Sequence, residues 1–149
     1  MATGSNVEVL WHDPQANIVM EPNATTVVIG VGDFLYGSSG KCLILAAAAG
    51  ATGDDGFVGV AMSTNLSGYT TKVTIARRAR VRVYQTGFAG NNGAGVLYSS
   101  GANGTDWVFA DGSGANLIGW LSKTFTTADT YIEFDIDTIA LGKFFAATA

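Results

Sequence analysis

At 149 residues the chain is the size of a single domain with a core of its own, so it requires no disulfide or metal staple to fold. Only 13% of residues are charged against 48% hydrophobic, with a mean hydropathy of +0.27, which points to surface covered by oligomerisation or docking, or to a plain domain rich in Ala and Gly. A net charge of −4 argues against a generally basic nucleic-acid domain, and one cysteine with one histidine excludes both an internal disulfide and a zinc site of Cys/His spacing.

In chain order, residues 1–26 ("MATGSNVEVLWHDPQANIVMEPNATT") hold both prolines, few glycines and isolated large apolar residues: Val7, Val9, Leu10, Trp11, Ile18, Val19 and Met20. They predict an extended N-terminal arm with one or two short strands, placed to reach a neighbour. No basic region precedes an apolar run here, so no signal peptide is expected. The longest apolar run, residues 42–51, is too short to span a bilayer. The expectation is a soluble intracellular product, or a piece of something assembled inside a cell.

Residues 27–149 predict a single β domain. Twenty glycines punctuate short segments rich in Val, Ile, Thr, Phe and Tyr at the intervals of a small barrel or sandwich. The best helix candidate is residues 41–49, stopped by Gly50, although so short an apolar run also fits a buried strand. Cys42 lies within it and reads as a small buried hydrophobe.

An internal repeat runs through this domain, over about 32–83 and 94–139. The first copy reads "GDFLYGSS", "FVGVAMST", "KVTIARRARVRV"; the second reads "AGVLYSSG", "LIGWLSKT", "TYIEFDIDTI". In each, a Leu-Tyr strand leads to an apolar-Gly strand, a Ser/Thr-rich turn and a long alternating strand. The copies are offset by about sixty residues. Trp120 of the second copy stands where the first has the smaller Val60.

Alternation on the long strands separates faces. Val73, Ile75, Ala79, Val81 and Val83 share one face of the first; Thr74, Arg78, Arg80, Arg82 and Tyr84 share the other. On the second, Ile132, Phe134 and Ile136 oppose Glu133, Asp135 and Asp137. Three cations and three carboxylates at the same spacing predict that the stripes meet, within one subunit or between two, fixing register and partner choice.

Catalytic chemistry finds no constellation. The one histidine, His12, lies in the predicted arm, far from any nucleophile pairing, and reads as a surface or interface residue. "GVGDFL" (30–35) lacks the third glycine and the βαβ setting of a dinucleotide fingerprint. "GDDG" (53–56) and "ADGSG" (110–114) read as turns rather than calcium loops. Glu133 and Asp135 share a face as a glycosidase pair does, but nothing marks either as a buried acid. Asn-x-Ser/Thr sites at Asn23, Asn65 and Asn103 carry no weight without a secretory signal. Arg77, Arg78, Arg80 and Arg82, with Tyr84 and Phe88 nearby, raise a single-strand nucleic-acid reading that the acidic chain and the matching acid stripe oppose. No catalytic, metal or cofactor-binding residue is expected.

The elements "GDFLY", "GFVGVAM", "GVLYSS" and "LIGWLSKT", ending in "TYIEFDIDTI", resemble the small capsid decoration (cement) proteins of tailed bacteriophages, over about residues 27–141. The resemblance implies a compact β domain on the outside of a mature head, often a trimer, bridging capsomers and without catalytic residues. It implies the major capsid protein and further copies of the chain as partners, the virion surface as location after synthesis in the host cytoplasm, and neither nucleic acid nor membrane as partner. It transfers no interface residue. From the stripes and the arm alone, Arg78, Arg80, Arg82, Glu133, Asp135, Asp137, Trp11 and His12 are the expected subunit or capsid contacts. The alternative is a β-sandwich carbohydrate-binding or host-attachment module with Trp107, Trp120, Tyr98 and Tyr69 as its platform.

Overall fold

A computed structural model describes residues 7–44, 56–100, 107–111 and 117–140, with the backbone alone at 38, 97–100 and 107–111. The first six residues, the "GDDG" acids, most of "ADGSG", Asn103 and the second half of the helix candidate lie outside the described residues, as do the side chains of Trp107 and Tyr98.

The chain is all-β. Its strands are β1 (Val7–His12), β2 (Ile18–Pro22), β3 (Phe34–Ser38), β4 (Lys41–Ile44), β5 (Phe57–Ala61), β6 (Val73–Ala76), β7 (Arg78–Val83), β8 (Gly95–Ser100), β9 (Trp107–Asp111), β10 (Leu117–Leu121) and β11 (Ile132–Asp137). Five of them close a barrel in the order β2-β4-β3-β5-β6, and six form an open sheet in the order β1-β7-β11-β10-β8-β9. Every pairing is antiparallel except β2 with β4. Residues 41–44, the start of the helix candidate, form β4 instead. The hairpin Ser39-Gly40, with both φ angles positive, turns β3 straight back and pairs Ser38 with Lys41.

The repeat is visible in the hydrogen bonds. The order β4-β3-β5-β6 in the barrel recurs as β9-β8-β10-β11 in the sheet. Gly32 N donates to Ala61 O and Ala61 N to Asp33 O; Gly93 N donates to Leu121 O and Leu121 N to Ala94 O. Isolated bridges join Ile29 to Asn65 and Gly90 to Phe125. The glycines of "FVGVA" and "LIGWL" also match. A Cβ on Gly59 would run into the Ala76 carbonyl, and one on Gly119 into the Asp135 carbonyl, while Gly59 further sits at φ +146°.

Two apolar clusters account for the burial pattern. Met20, Ile29, Leu35, Cys42, Val58, Ala61, Val73 and Ile75 fill the barrel. Phe34, Phe57, Val60 and Ala76 point outward from it and pack on Ala79, Val81, Val83, Val96, Ile118, Ile132, Phe134 and Ile136 of the sheet. Every residue of β5 is therefore buried, half inward and half against the sheet. Phe34 joins the layers, with ring centroids 6.0 Å from Phe57 and 6.2 Å from Phe134. Each such fully buried side chain contributes about 2 kcal/mol of transfer free energy. Cys42 is buried as expected, which pushes its thiol up to about 11.

The long strand expected over residues 73–84 is not continuous. It bends at Arg77, so β6 stays in the barrel and β7 crosses into the sheet. The bend is tied down from three sides. Thr138 N donates to Arg77 O at 3.0 Å, Arg77 Nε donates to Thr138 Oγ1 at 3.4 Å, and Thr138 Oγ1 donates to Val58 O at 3.1 Å. Burial of Arg77 shifts its guanidinium pKa downward.

The N-terminal segment supplies the two short strands expected of it. Both pair with the chain's own sheets: β1 lies against β7, and β2 between β6 and β4. From Val7 onward, then, the segment is woven into the fold through backbone pairing on one side of β1 and on both sides of β2, and through Val7, Val9, Ile18 and Met20, while Leu10, Trp11 and Val19 stay exposed.

Candidate interaction surfaces

The charged residues gather on the outer face of the open sheet. Strand β7 runs between β1 and β11, and its register sets each arginine in a row across the three strands. Arg82 lies opposite Glu8 on one side and Glu133 on the other, Arg80 opposite Trp11 and Asp135, and Arg78 opposite Asp137. The predicted stripes therefore meet inside one subunit. The between-subunit option fails because neighbouring strands of one sheet already satisfy both stripes.

The geometry is close in every row. Arg80 holds Asp135 in a two-pronged contact, Nε to Oδ1 at 2.7 Å and Nη2 to Oδ2 at 3.1 Å. Arg82 Nε and Nη2 donate to Glu133 Oε2 at 2.9 and 2.6 Å, and its guanidinium carbon stands 4.4 Å from the centre of the Tyr131 ring. Arg78 Nε donates to Asp137 Oδ2 at 3.2 Å, with Asp13 at 3.9 Å on its other side. The carboxylate hydrogen bonds shift the Arg80 and Arg82 pKa values upward, led by Asp135 and Glu133 respectively. The Arg80–Asp135 pair is half-exposed, so it specifies register more than it stabilises, whereas Arg82 and Glu133 are largely covered, their side chains 29% and 12% exposed.

Five carboxylates, Glu8, Asp13, Glu133, Asp135 and Asp137, thus surround three guanidinium groups on this face. These arginines of "RRARVRV" are matched by carboxylates, with Lys123 close by at the Tyr131 ring, and do not form a basic face. Arg77, the fourth arginine, is buried at the bend and faces no ligand surface. Tyr84 closes the end of the face, its hydroxyl 3.5 Å from Glu8 and its ring packed edge-on against Tyr131 at 6.1 Å.

Trp11 follows a bulge in β1 that turns its side chain to the outer face, beside Arg80. It is 58% exposed, and with Leu10 it makes the free edge of the sheet apolar. Trp11, Arg78, Ala79, Arg80, Asp135, Ile136 and Asp137 line an open groove of about 430 Å³. His12 ends the strand opposite Ala79, with its Nδ1 3.4 Å from Asn17 Nδ2. Trp120 faces Asp135 across β10 and β11 and is half-buried. Tyr69 belongs to a barrel turn, so the platform once expected from Trp120 and Tyr69 is split between the two sheets.

Sequence reasoning passed over Asn65, reading it only as a glycosylation pattern. Its amide is buried and holds the turn: Nδ2 donates to Val27 O and Tyr69 O at 2.7 and 2.9 Å, and Oδ1 accepts from Thr71 N at 2.8 Å. The signal available was its position, equivalent to Phe125 in the second copy. Among the described residues no group of three His, Cys, Asp or Glu side chains is placed to hold a metal ion, and no helix is long and apolar enough to cross a membrane. No family model matches the chain, and no curated protein matches it.

Proposed function

We propose that this chain is a structural virion protein that binds the outside of a bacteriophage capsid and stabilises it, acting as a homo-oligomer, a trimer as the resemblance implies, and not as an enzyme. The observation that carries the reading is how the surface is divided. Among the described residues the largest concentration of charge is satisfied within a single sheet, while the edge strand beside it exposes Leu10 and Trp11. Among the described residues this edge has no further strand partner, and an edge that exposes large apolar side chains on a body braced by two packed sheets suits docking on a larger protein surface by strand addition or shallow burial. Purified heads lacking the protein supply the test. The chain should co-sediment with them and raise the temperature at which they release DNA; if it stays in the supernatant at saturating concentration, the reading falls.

A second reading has one observation in its favour. The groove beside Trp11 offers an aromatic face next to the donors of Arg78 and Arg80 and the acceptors Asp135 and Asp137, a combination suited to a saccharide. Binding on a glycan array, lost in Trp11→Ala, would support this reading over docking.

A further inference from the structure

The duplication supplies an internal control for the surface. The bridges Ile29–Asn65 and Gly90–Phe125, with the hydrogen bonds that flank them, match the two ends of the repeat residue by residue. Val28 then corresponds to Ala89, Val31 to Asn92, Leu66 to Thr126 and Tyr69 to Asp129. The backbones agree but the surfaces differ. Leu66 is 65% exposed, Tyr69 61%, Val28 51% and Val31 48%, where the second copy carries small or polar residues. The turn does not need apolar residues at these positions, since the second copy builds it without them. Exposing four together is a cost to solubility that folding does not explain.

We propose that this end of the barrel is where copies of the chain meet one another. The inference rests on the homo-oligomer part of the reading above and not on the capsid. A second copy fits better than another partner for two reasons. Residues 23–31 and 62–71, which form this end, contain no charged residue, so the surface meets itself without like charges on a chain of net charge −4. The outer face of the sheet, with its five carboxylates, has no such freedom. The patch also holds both a projection and a hollow: exposed Leu66 stands at the rim of a hollow of about 270 Å³ that it lines with Thr64, Tyr69 and Thr71. Around a threefold axis each copy's projection enters the hollow of the next copy, which closes the ring.

Light scattering after gel filtration tests this directly. The wild-type chain should run as a multiple of 15.4 kDa. A variant carrying Val31→Asn, Leu66→Thr and Tyr69→Asp takes the residues that the second copy already uses in the same turn. It should keep its circular dichroism spectrum and weaken self-association by about 100-fold, to a monomer at low micromolar concentration. Gln15→Ala, outside the patch and outside the sheet edge, should leave the mass unchanged. Leu66→Cys in an otherwise unaltered chain guards against misfolding, because Cys42 is buried. A bifunctional maleimide should link copies through position 66 and should not link Ala89→Cys. A monomeric wild-type chain, an unchanged mass in the triple variant, or equal linking at the two positions would overturn the proposal. The capsid reading fails separately: an oligomer that ignores heads sinks that reading alone, and a monomer that binds heads sinks this one alone.

Discussion

The two halves of the chain share one strand plan and finish it differently. In the first, β4-β3-β5-β6 closes into a barrel because β2 pairs with both β6 and β4. In the second, β9-β8-β10-β11 takes β7 beside β11, and β7 goes on to pair with β1, leaving β1 and β9 as edges. Closure is therefore decided by the strand added beside the third element, not by the repeat itself. That strand is shared: β7 is the continuation of β6 beyond the bend at Arg77. One long strand thus ends the barrel and seeds the sheet, and the cores of the two halves meet where it crosses.

The turns that follow β5 and β10 give the sharpest contrast, since one is locked by a buried amide and the other by a ring. Phe125 is buried in the shared core and packs edge-on against Tyr131 at 6.0 Å. Phe125→Ala should cost about 4 kcal/mol in denaturant unfolding, the largest effect expected here. The equivalent glycines come next. Gly59→Ala and Gly119→Ala each push a methyl group into a carbonyl of the neighbouring strand and should cost about 3 kcal/mol, Gly59 the more because its φ is also strained. If either is neutral, the tight crossing is not common to both halves. Asn65→Ala should cost about 2 kcal/mol, because Val27 O, Tyr69 O and Thr71 N lose their partner together. Should Asn65→Ala prove harmless while Phe125→Ala unfolds the chain, the first turn is held by barrel closure alone.

The charged rows should produce a smaller effect, and on folding rather than assembly. Arg80→Glu sets a carboxylate against Asp135 and should lower stability by about 1 kcal/mol, with Asp135→Arg in the same chain restoring most of it. Thermal melting of the chain reads both. Failure of the double change to recover the melting temperature would mean that the row is not what sets the register of β7 on β11.

Much of this was legible in the sequence, and the reason is period. Alternation placed Arg78, Arg80 and Arg82 on one face and Glu133, Asp135 and Asp137 on another, and the stripes meet as the spacing implied, while the row-by-row register is set by the antiparallel pairing of β7 with β11. The order of three elements in each copy also survives as hydrogen bonds. What could not be read is nonlocal. Residues 73–84 alternate except at Ala76-Arg77, where a charged residue falls in the apolar row at the bend, but the partner that receives it, Thr138, lies some sixty residues on and has no local signature. The short run after Lys41 suits helix or strand equally, and only pairing with β3 and β2 decides it. Whether the acid stripe met the arginines in the same chain depended on which strand lies beside β7, a matter of topology. The role of Asn65 was hidden because a buried amide and an exposed one look alike in sequence.

The smallest effect belongs to the seam that makes the barrel a barrel. The parallel pairing of β2 with β4 sets Glu21 opposite Lys41 and Pro22 opposite Cys42, and Lys41 Nζ donates to Glu21 Oε2 at 2.6 Å. The lysine's hydrogen bond, then its charge, holds the Glu21 carboxyl below its ordinary 4.5. A lowered carboxylate pKa gives stability that is whole above the ordinary value and is lost as pH falls through the value in the fold. Wild type should therefore exceed Glu21→Gln by a small margin at neutral pH, and the margin should close below pH 4.5 and shrink in high salt. The pair is half-exposed and screened by solvent, so a large, salt-insensitive margin would mean that the charge pair is not what the substitution removes. If no margin exists at any pH, closure of the barrel rests on Met20, Cys42 and their neighbours inside it, and the difference between the two halves is apolar throughout.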